Sequence, residues 1–332
     1  MKQTTSFPSQ ALSYIALGAI GSVIALMVLP VDTAFSRELN VLTPYIMVSF
    51  FALGLLSLVL SQDKIMKASF LGVAILAFML RSSAIAPVEE VELPVVAIDQ
   101  HIQSHPVAVA QYSTSNLMLD EKPNIQMILD ADADLLSIQG LTPDWAALLT
   151  KRLANDYPHY YLFEDIGVHG LGIFSKAPLG SVDSFLIGDV VQVTACMSGG
   201  DTSPELSLVA VQTTPPVNTS SYQLMRTQLE ILADHLKRMD GPLITIGDFN
   251  NMPWSNEMNA FQDKSNLQDS RRSQYPTYHE GAPHLFDRPV EHIFYSNDLQ
   301  CLQYRAQREG STYIGSGATF QLRSTNSAMV AR

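Results

Sequence analysis

The residues with the clearest chemical potential lie between Leu243 and Ser255, in the run Leu-Ile-Thr-Ile-Gly-Asp-Phe-Asn-Asn-Met-Pro-Trp-Ser. Apolar and β-branched residues lead into Gly247. Alternation along an extended segment then puts Asp248 and Asn250 on one face and Phe249 on the other. A carboxylate and a carboxamide at the end of a buried strand suit phosphate or metal-ion chemistry, because α/β scaffolds place their sites at the carboxyl ends of strands. The same residues also fit a plain turn followed by a helix over Asn256 to Asp263, with Ser255 as its N-cap.

The elements that must position this run form an α/β rhythm from Val107 onward, in which short apolar runs alternate with amphipathic stretches. Strands are predicted over Val107 to Gln111, Ala133 to Gln139, Tyr157 to Phe163, Gly170 to Ser175 and Leu206 to Val211. Helices are predicted over Asn124 to Asp130, Thr142 to Asn155 (with Trp145 on the apolar side) and Tyr222 to Met239, where Leu224, Leu229, Leu232 and Leu236 share a face. Ahead of this domain lie three apolar runs, near 11–29, 41–62 and 65–86. The first, Ala11 to Leu29, has 19 residues and no charge. At 1.5 Å per helical residue, such a run can cross roughly 30 Å of hydrocarbon. The expectation is a three-helix transmembrane region over 1–88, an acidic, proline-containing linker over 89–104, an α/β domain over 105–323 and a tail over 324–332. Lys2, Lys64 and Lys67 fall on one side of three spans and Arg37 and Arg81 on the other. The positive-inside rule then puts the amino terminus in the cytoplasm and the domain on the non-cytoplasmic side of the inner membrane.

Gly-Asp-Phe-Asn followed by Pro-Trp-Ser resembles the signature of the endonuclease/exonuclease/phosphatase superfamily, and further markers follow in order along the chain. These are Gln139, the Ser-Lys-Ala-Pro turn at Ser175 to Pro178, Thr213-Thr214-Pro215-Pro216, the Thr277-Tyr278-His279 cluster, Glu291-His292-Ile293-Phe294 and Gly315-Ser316. The resemblance implies a four-layer sandwich, two β-sheets packed face to face and flanked by helices. It also implies Mg²⁺- or Mn²⁺-dependent phosphoester hydrolysis, with Asp248, Asn250 and His292 as catalytic or phosphate-contacting residues and Glu291 as a metal ligand. His292 equally fits a satisfied core histidine, and Lys176 a solvated surface cation.

The departures from the pattern fall on the chemistry. Ser113 stands where the resemblance implies an Asn, Gly140 at the principal metal-ligating Glu, and Gln212 at a phosphate-contacting His. Gly317 and Ala318 replace an Asp-His pair, and Glu291 a shorter Asp. Mg²⁺ takes hard oxygen ligands, typically with one or two carboxylates, and glycine supplies none. Asp144, Glu164 and Asp165 are the other acids that could reach the spot. Gln212 cannot exchange a proton near neutrality. Gly317 and Ala318 remove acid/base machinery typically worth about 10²–10⁴ in rate. The expectation is a membrane-anchored family member that is catalytically impaired or inactive. It would bind a phosphoester small molecule, a lipid headgroup or a protein partner, with Mg²⁺ or Mn²⁺ needed only if it is active. The alternative is an active divalent-metal-dependent phosphodiesterase or phosphatase with a rebuilt site.

Charge narrows the partner. The 244 residues after 88 carry 15 Lys/Arg against 29 Asp/Glu, a balance of −14. That balance argues against duplex nucleic acid, which is gripped through a basic surface, as the ligand. Cys196 and Cys301 allow one disulfide or two thiols.

Overall fold

The computed structural model describes residues 7–29, 39–84, 106–114, 121–167, 169–197, 205–272, 290–309 and 312–323. The predicted linker, the Thr277-Tyr278-His279 cluster and the tail lie outside them. The chain divides into two units, Met1–Ala84 with Trp254–Asn256, and Ile85–Pro253 with Glu257–Arg332.

In the first unit the apolar runs form α1 (Phe7–Val28), α2 (Thr43–Val59) and α3 (Asp63–Ala84). Ile20, Met27, Phe50 and Leu76 are buried where these helices meet. The helices approach closely because rings lie on glycines. The Phe50 ring occupies the space a Cβ on Gly72 would need, 2.7 Å away, and the Phe70 ring lies 3.0 Å from one on Gly54.

The expected transmembrane region is corrected here, and with it the integral inner-membrane location and the non-cytoplasmic placement of the domain. Among the described residues no helix is long and apolar enough to cross a membrane. α2 has 17 residues, about 25 Å of helix. α3 includes Asp63, Lys64, Lys67 and Arg81. α1 opens on Phe-Pro-Ser-Gln and carries Ser13, Tyr14 and Ser22 among its apolar residues, and Ser13 Oγ donates to Gln62 Oε1.

The second unit is built on two six-stranded sheets. One has the order β11-β12-β1-β2-β4-β3, from Leu299–Glu309, Thr312–Leu322, Val107–Ser113, Leu135–Gln139, Leu171–Ser175 and His159–Phe163. The other has the order β5-β6-β7-β8-β10-β9, from Leu179–Ile187, Val190–Met197, Leu206–Gln212, Leu243–Asp248, Glu291–Tyr295 and Gln268–Asp269. The β1–β2 and β7–β8 pairs are parallel and the others antiparallel. Val109, Leu135, Ile173, Leu208, Ile246, Ile293 and Phe320 fill the space between the sheets.

On the outer side of the first sheet, α4 (Glu121–Asp130) and α5 (Pro143–Leu153) bury Ile128 and Leu149 against Tyr112 and Ile138. On the other, α6 (Thr219–Leu236) and α7 (Asn256–Ser265) bury Leu229, Leu232 and Phe261 against Val211 and Phe294. The expected four layers are therefore present. α6 begins three residues before the predicted Tyr222, because Asn218 and Ser221 form a reciprocal capping box that satisfies two amides at its start. Trp145 packs on the edge of the α4–α5 cluster.

The Gly-Asp-Phe-Asn strand lies at the centre of its sheet, and Gly247 is required there by proximity. A Cβ on it would stand 1.8 Å from the Val211 carbonyl oxygen of the parallel neighbour. Phe249, fully buried, anchors the loop that follows, its ring 5.3 Å from Phe261 and 5.2 Å from Phe294. Truncating it leaves a cavity that these rings cannot fill. Phe249→Ala is expected to cost about 3–5 kcal/mol of stability, read as a lower urea midpoint with an unchanged denaturant slope.

Candidate functional site

Strand register assembles the polar centre. Asp248 ends β8, opposite Gln212 at the end of β7 and Glu291 at the start of β10. Two residues along, Ala210, Ile246 and Ile293 belong to the inter-sheet core, so alternation turns Gln212, Asp248 and Glu291 toward the same interior. In the facing sheet, Gln111 pairs with Ser316 and Ser137, and Ser113 with Gln139. These share the face of Val109, Leu135 and Ala318. The interior between the sheets thus changes from apolar to polar at the strand ends. Tyr304 and Tyr313 lie where the two sheets' polar groups meet, near Ser316, Glu291 and Arg271. Burial is the main reason that the Tyr304 hydroxyl is pushed up to about 12.

Asp248 and Asn250 meet, but not as an extended strand end would bring them. Asn250 adopts φ +51°, which breaks the predicted alternation. Its backbone N–H donates to Asp248 Oδ1 at 2.8 Å, and its Nδ2 donates to the Thr213 carbonyl at 2.8 Å. The carboxylate closes an Asx turn, and the carboxamide ties that turn to the end of β7. Burial raises the Asp248 pKa to about 6, against the opposing effect of the Asn250 N–H.

His292 is inside the protein. It is 1% exposed, stacked on Phe294 at 5.2 Å and edge-on to Phe249 at 5.3 Å. Its Nε2 meets the Asn251 carbonyl at 2.8 Å and its Nδ1 meets the Arg271 guanidinium. The geometry is that of a neutral imidazole donating from Nε2 and accepting at Nδ1. Burial, followed by the Arg271 charge, pushes its pKa down to about 4.

The sequence gives little sign of the group that holds this histidine. Asp269, at the end of β9, accepts from Arg271 Nε and Nη2 at 2.9–3.2 Å, both side chains being buried. Arg271 Nη1 also donates to the Glu291 carbonyl at 3.3 Å. Although burial works the other way, Arg271 and His292 hold the Asp269 carboxyl well below its usual range. The only sequence signal is an Asp-x-Arg in a polar stretch. Gln192 was equally silent. Its buried amide spans the backbone of Gln212, accepting from the N–H at 3.0 Å and donating to the carbonyl at 2.8 Å.

Of the remaining sequence candidates, Gly140, Gly317 and Ala318 adjoin the polar centre, and the charged ones lie elsewhere. Gly140 has φ +69° and a Cβ there would lie 2.8 Å from Thr114 Oγ1, which itself donates to the Gly140 carbonyl at 2.6 Å. Gly317 and Ala318 sit within β12 on opposite faces. Gly317 lies between Ala110 and Arg305, whereas Ala318 is buried against the inter-sheet core. Asp144 and Glu164 are exposed, and Asp165 accepts from the His169 N–H at 3.2 Å. Lys176 pairs with Asp132 and lies over the Tyr157 ring. Cys196 and Cys301 are free thiols.

A divalent ion would find Asp248 and Glu291 side by side, but nothing from Gly140. Among the described residues no group of three or more His, Cys, Asp or Glu side chains could hold a metal. The donors among the described residues therefore do not fit a dedicated Mg²⁺ or Mn²⁺ site of near-octahedral oxygen ligands.

Two of the perturbed groups, His292 and Asp248, give stability opposite pH slopes. Unfolded His binds a proton below about 6.5 but folded His292 only near 4, so its contribution is full above pH 6.5 and is lost as pH falls toward 4. Folded Asp248 keeps its proton to about 6, so its contribution is full below about pH 3.9 and is lost as pH rises toward 6. Between pH 4 and 6 the two slopes oppose. Asp248→Asn should unmask the histidine slope, so that the variant loses stability relative to wild type on acidification through this window, by up to about 1.4 kcal/mol per pH unit. Denaturant titrations across pH read this directly.

The comparisons place this geometry. The chain is similar in structure to an endonuclease/exonuclease/phosphatase from Beutenbergia cavernae DSM 12333, at 17% identity and TM-score 0.53, covering 65% of this chain and 72% of that one. It is similar to D. rerio TDP2 complexed with single-strand DNA product, at 15% identity and TM-score 0.53, covering 65% and 99%. It is also similar to a mannosyl-6-phosphatase from Bacteroides thetaiotaomicron VPI-5482, at 15% identity and TM-score 0.51, covering 66% and 100%. These likenesses carry the fold alone, and no curated protein matches the chain. Residues 116–316 match the model of the Endonuclease/Exonuclease/phosphatase family, whose members are typically divalent-metal-dependent, and the chain belongs to that family.

Proposed function

We propose that this domain has kept the family scaffold and given up efficient phosphoester hydrolysis, acting instead by binding a phosphoester-bearing ligand or a protein partner. The observation that carries this is the turn at Gly140. The lost carboxylate there is no simple vacancy, because any side chain would have to adopt a left-handed backbone and would bring its Cβ to 2.8 Å from the Thr114 hydroxyl, which bonds the Gly140 carbonyl. The Asx turn supports it further. Asp248 and Asn250 are engaged in closing their own loop, which gives Gly-Asp-Phe-Asn a folding role that does not depend on catalysis.

A second reading, an active hydrolase with a rebuilt site, is favoured by one feature. Asp248 and Glu291 are opposite each other across β8 and β10, close enough for two carboxylates to share a cation.

Two measurements on the full chain separate these. Assays of bis-p-nitrophenyl phosphate, nucleotides and phospholipids with Mg²⁺ or Mn²⁺ are expected to give no turnover above that of Asp248→Ala; turnover that vanishes in the variant would establish the second reading. Gly140→Glu is expected to lose about 1–3 kcal/mol of stability through its left-handed backbone, without gaining saturable Mg²⁺ binding in calorimetry. A stable variant that binds Mg²⁺ would mean that only the carboxylate was missing.

A further inference from the structure

The outer face of the first sheet carries a cleft away from the polar centre. It measures about 130 Å³ and lies over β11, β12 and β1. Register explains why it exists. Across the three strands, Arg305, Gly317 and Ala110 form one row, and Gln303, Thr319 and Ala108 the next. Ala131 and Ala133, after α4, close one side. The floor therefore has no long side chain, while β11 raises Gln303, Arg305 and Gln307 as a wall.

The charge on that wall is unneutralised. Arg305 is exposed and forms no ion pair among the described residues, in contrast to Lys176, Lys264 and Arg271. The acids next to the cleft are already engaged. Asp132 pairs with Lys176, and Asp134 Oδ2 accepts the Ala108 N–H at 2.8 Å. A guanidinium offers a planar fork of donors suited to oxyanions, and each flanking glutamine adds a carboxamide that donates and accepts. A water needs roughly 10–15 Å³ on the same measure, so the cleft has room for a phosphate or a carboxylate group together with several waters.

We propose that this cleft is a binding site for a small oxyanion, a phosphate or carboxylate group held by Arg305 with Gln303 and Gln307. It is independent of the function proposed above: Ala318 also borders the cleft, but the side chains of Gly317 and Thr319 alternate along β12 with those of Ser316 and Ala318 and so point away from the polar centre.

The test is titration of the full chain with sodium phosphate and, separately, sodium acetate at constant ionic strength, followed by calorimetry and amide NMR. Saturable millimolar binding is expected, with shifts in residues 303–307 and 108–110. Arg305→Gln is expected to weaken it about tenfold or more, Arg305→Lys less, and Asp248→Asn not at all. A response to phosphate alone or acetate alone would identify the head group. No saturable response to either, binding unchanged in Arg305→Gln, or binding lost in Asp248→Asn would each overturn the proposal. Position 305 is exposed, so unaltered melting of the variants shows that the comparison is one of binding.

Discussion

Side-chain bonds to backbone at the ends of the parallel strand pairs are the constraint on which the polar end of this domain depends. Where a parallel strand ends at a partly buried interior, its last amides and carbonyls are shielded from much of the solvent and are held by other partners. Here Asp248 takes the Asn250 amide, Asn250 takes the Thr213 carbonyl, and Thr114 takes the Gly140 carbonyl. Gln192 joins them by spanning the backbone of Gln212. In each case a polar side chain at the strand ends is committed to holding a loop. These bonds fix where the strand-end side chains stand.

The buried pair of Asp269 and Arg271 extends the same logic to charge. Removing two ions from water costs several kcal/mol each, offset only by close geometry and further hydrogen bonds. The bidentate contact, the bond to the Glu291 carbonyl and the contact with His292 supply these. The result fixes His292 between two phenylalanine rings as a neutral strut. A histidine with both nitrogens occupied inside the core is poorly placed to reach a phosphate, even though its neighbours match the family pattern.

Much of the fold was legible because apolar periodicity and the ordered markers survive together. The strand leading into Asp248, the long α6 and the four layers follow from residues such as Ile244, Ile246, Leu229 and Leu232. What could not be read was conformation at single residues and pairing across strands. Nothing in the letters Asp-Phe-Asn announces that Asn250 turns left-handed, and Gly140 reads as a missing carboxylate until its φ and the Thr114 hydroxyl are seen. Gly317 and Ala318 are neighbours on a strand and so take opposite faces, which letters alone do not assign to a sheet's inner or outer side. The apolar runs before residue 85 resemble spans by length and lack of charge alone. Those measures are blind to where helices end, so the 41–62 run contains a 17-residue helix and a turn rather than a span.

The central claim, that the polar strand ends act as latches and not as a cation site, is most directly tested by anomalous diffraction from crystals grown with Mn²⁺. No anomalous peak within coordinating reach of both Asp248 and Glu291 is expected, with the Asp248 to Asn250 turn intact. A Mn²⁺ ion bonded to both carboxylates, with that turn opened to release them, would contradict it.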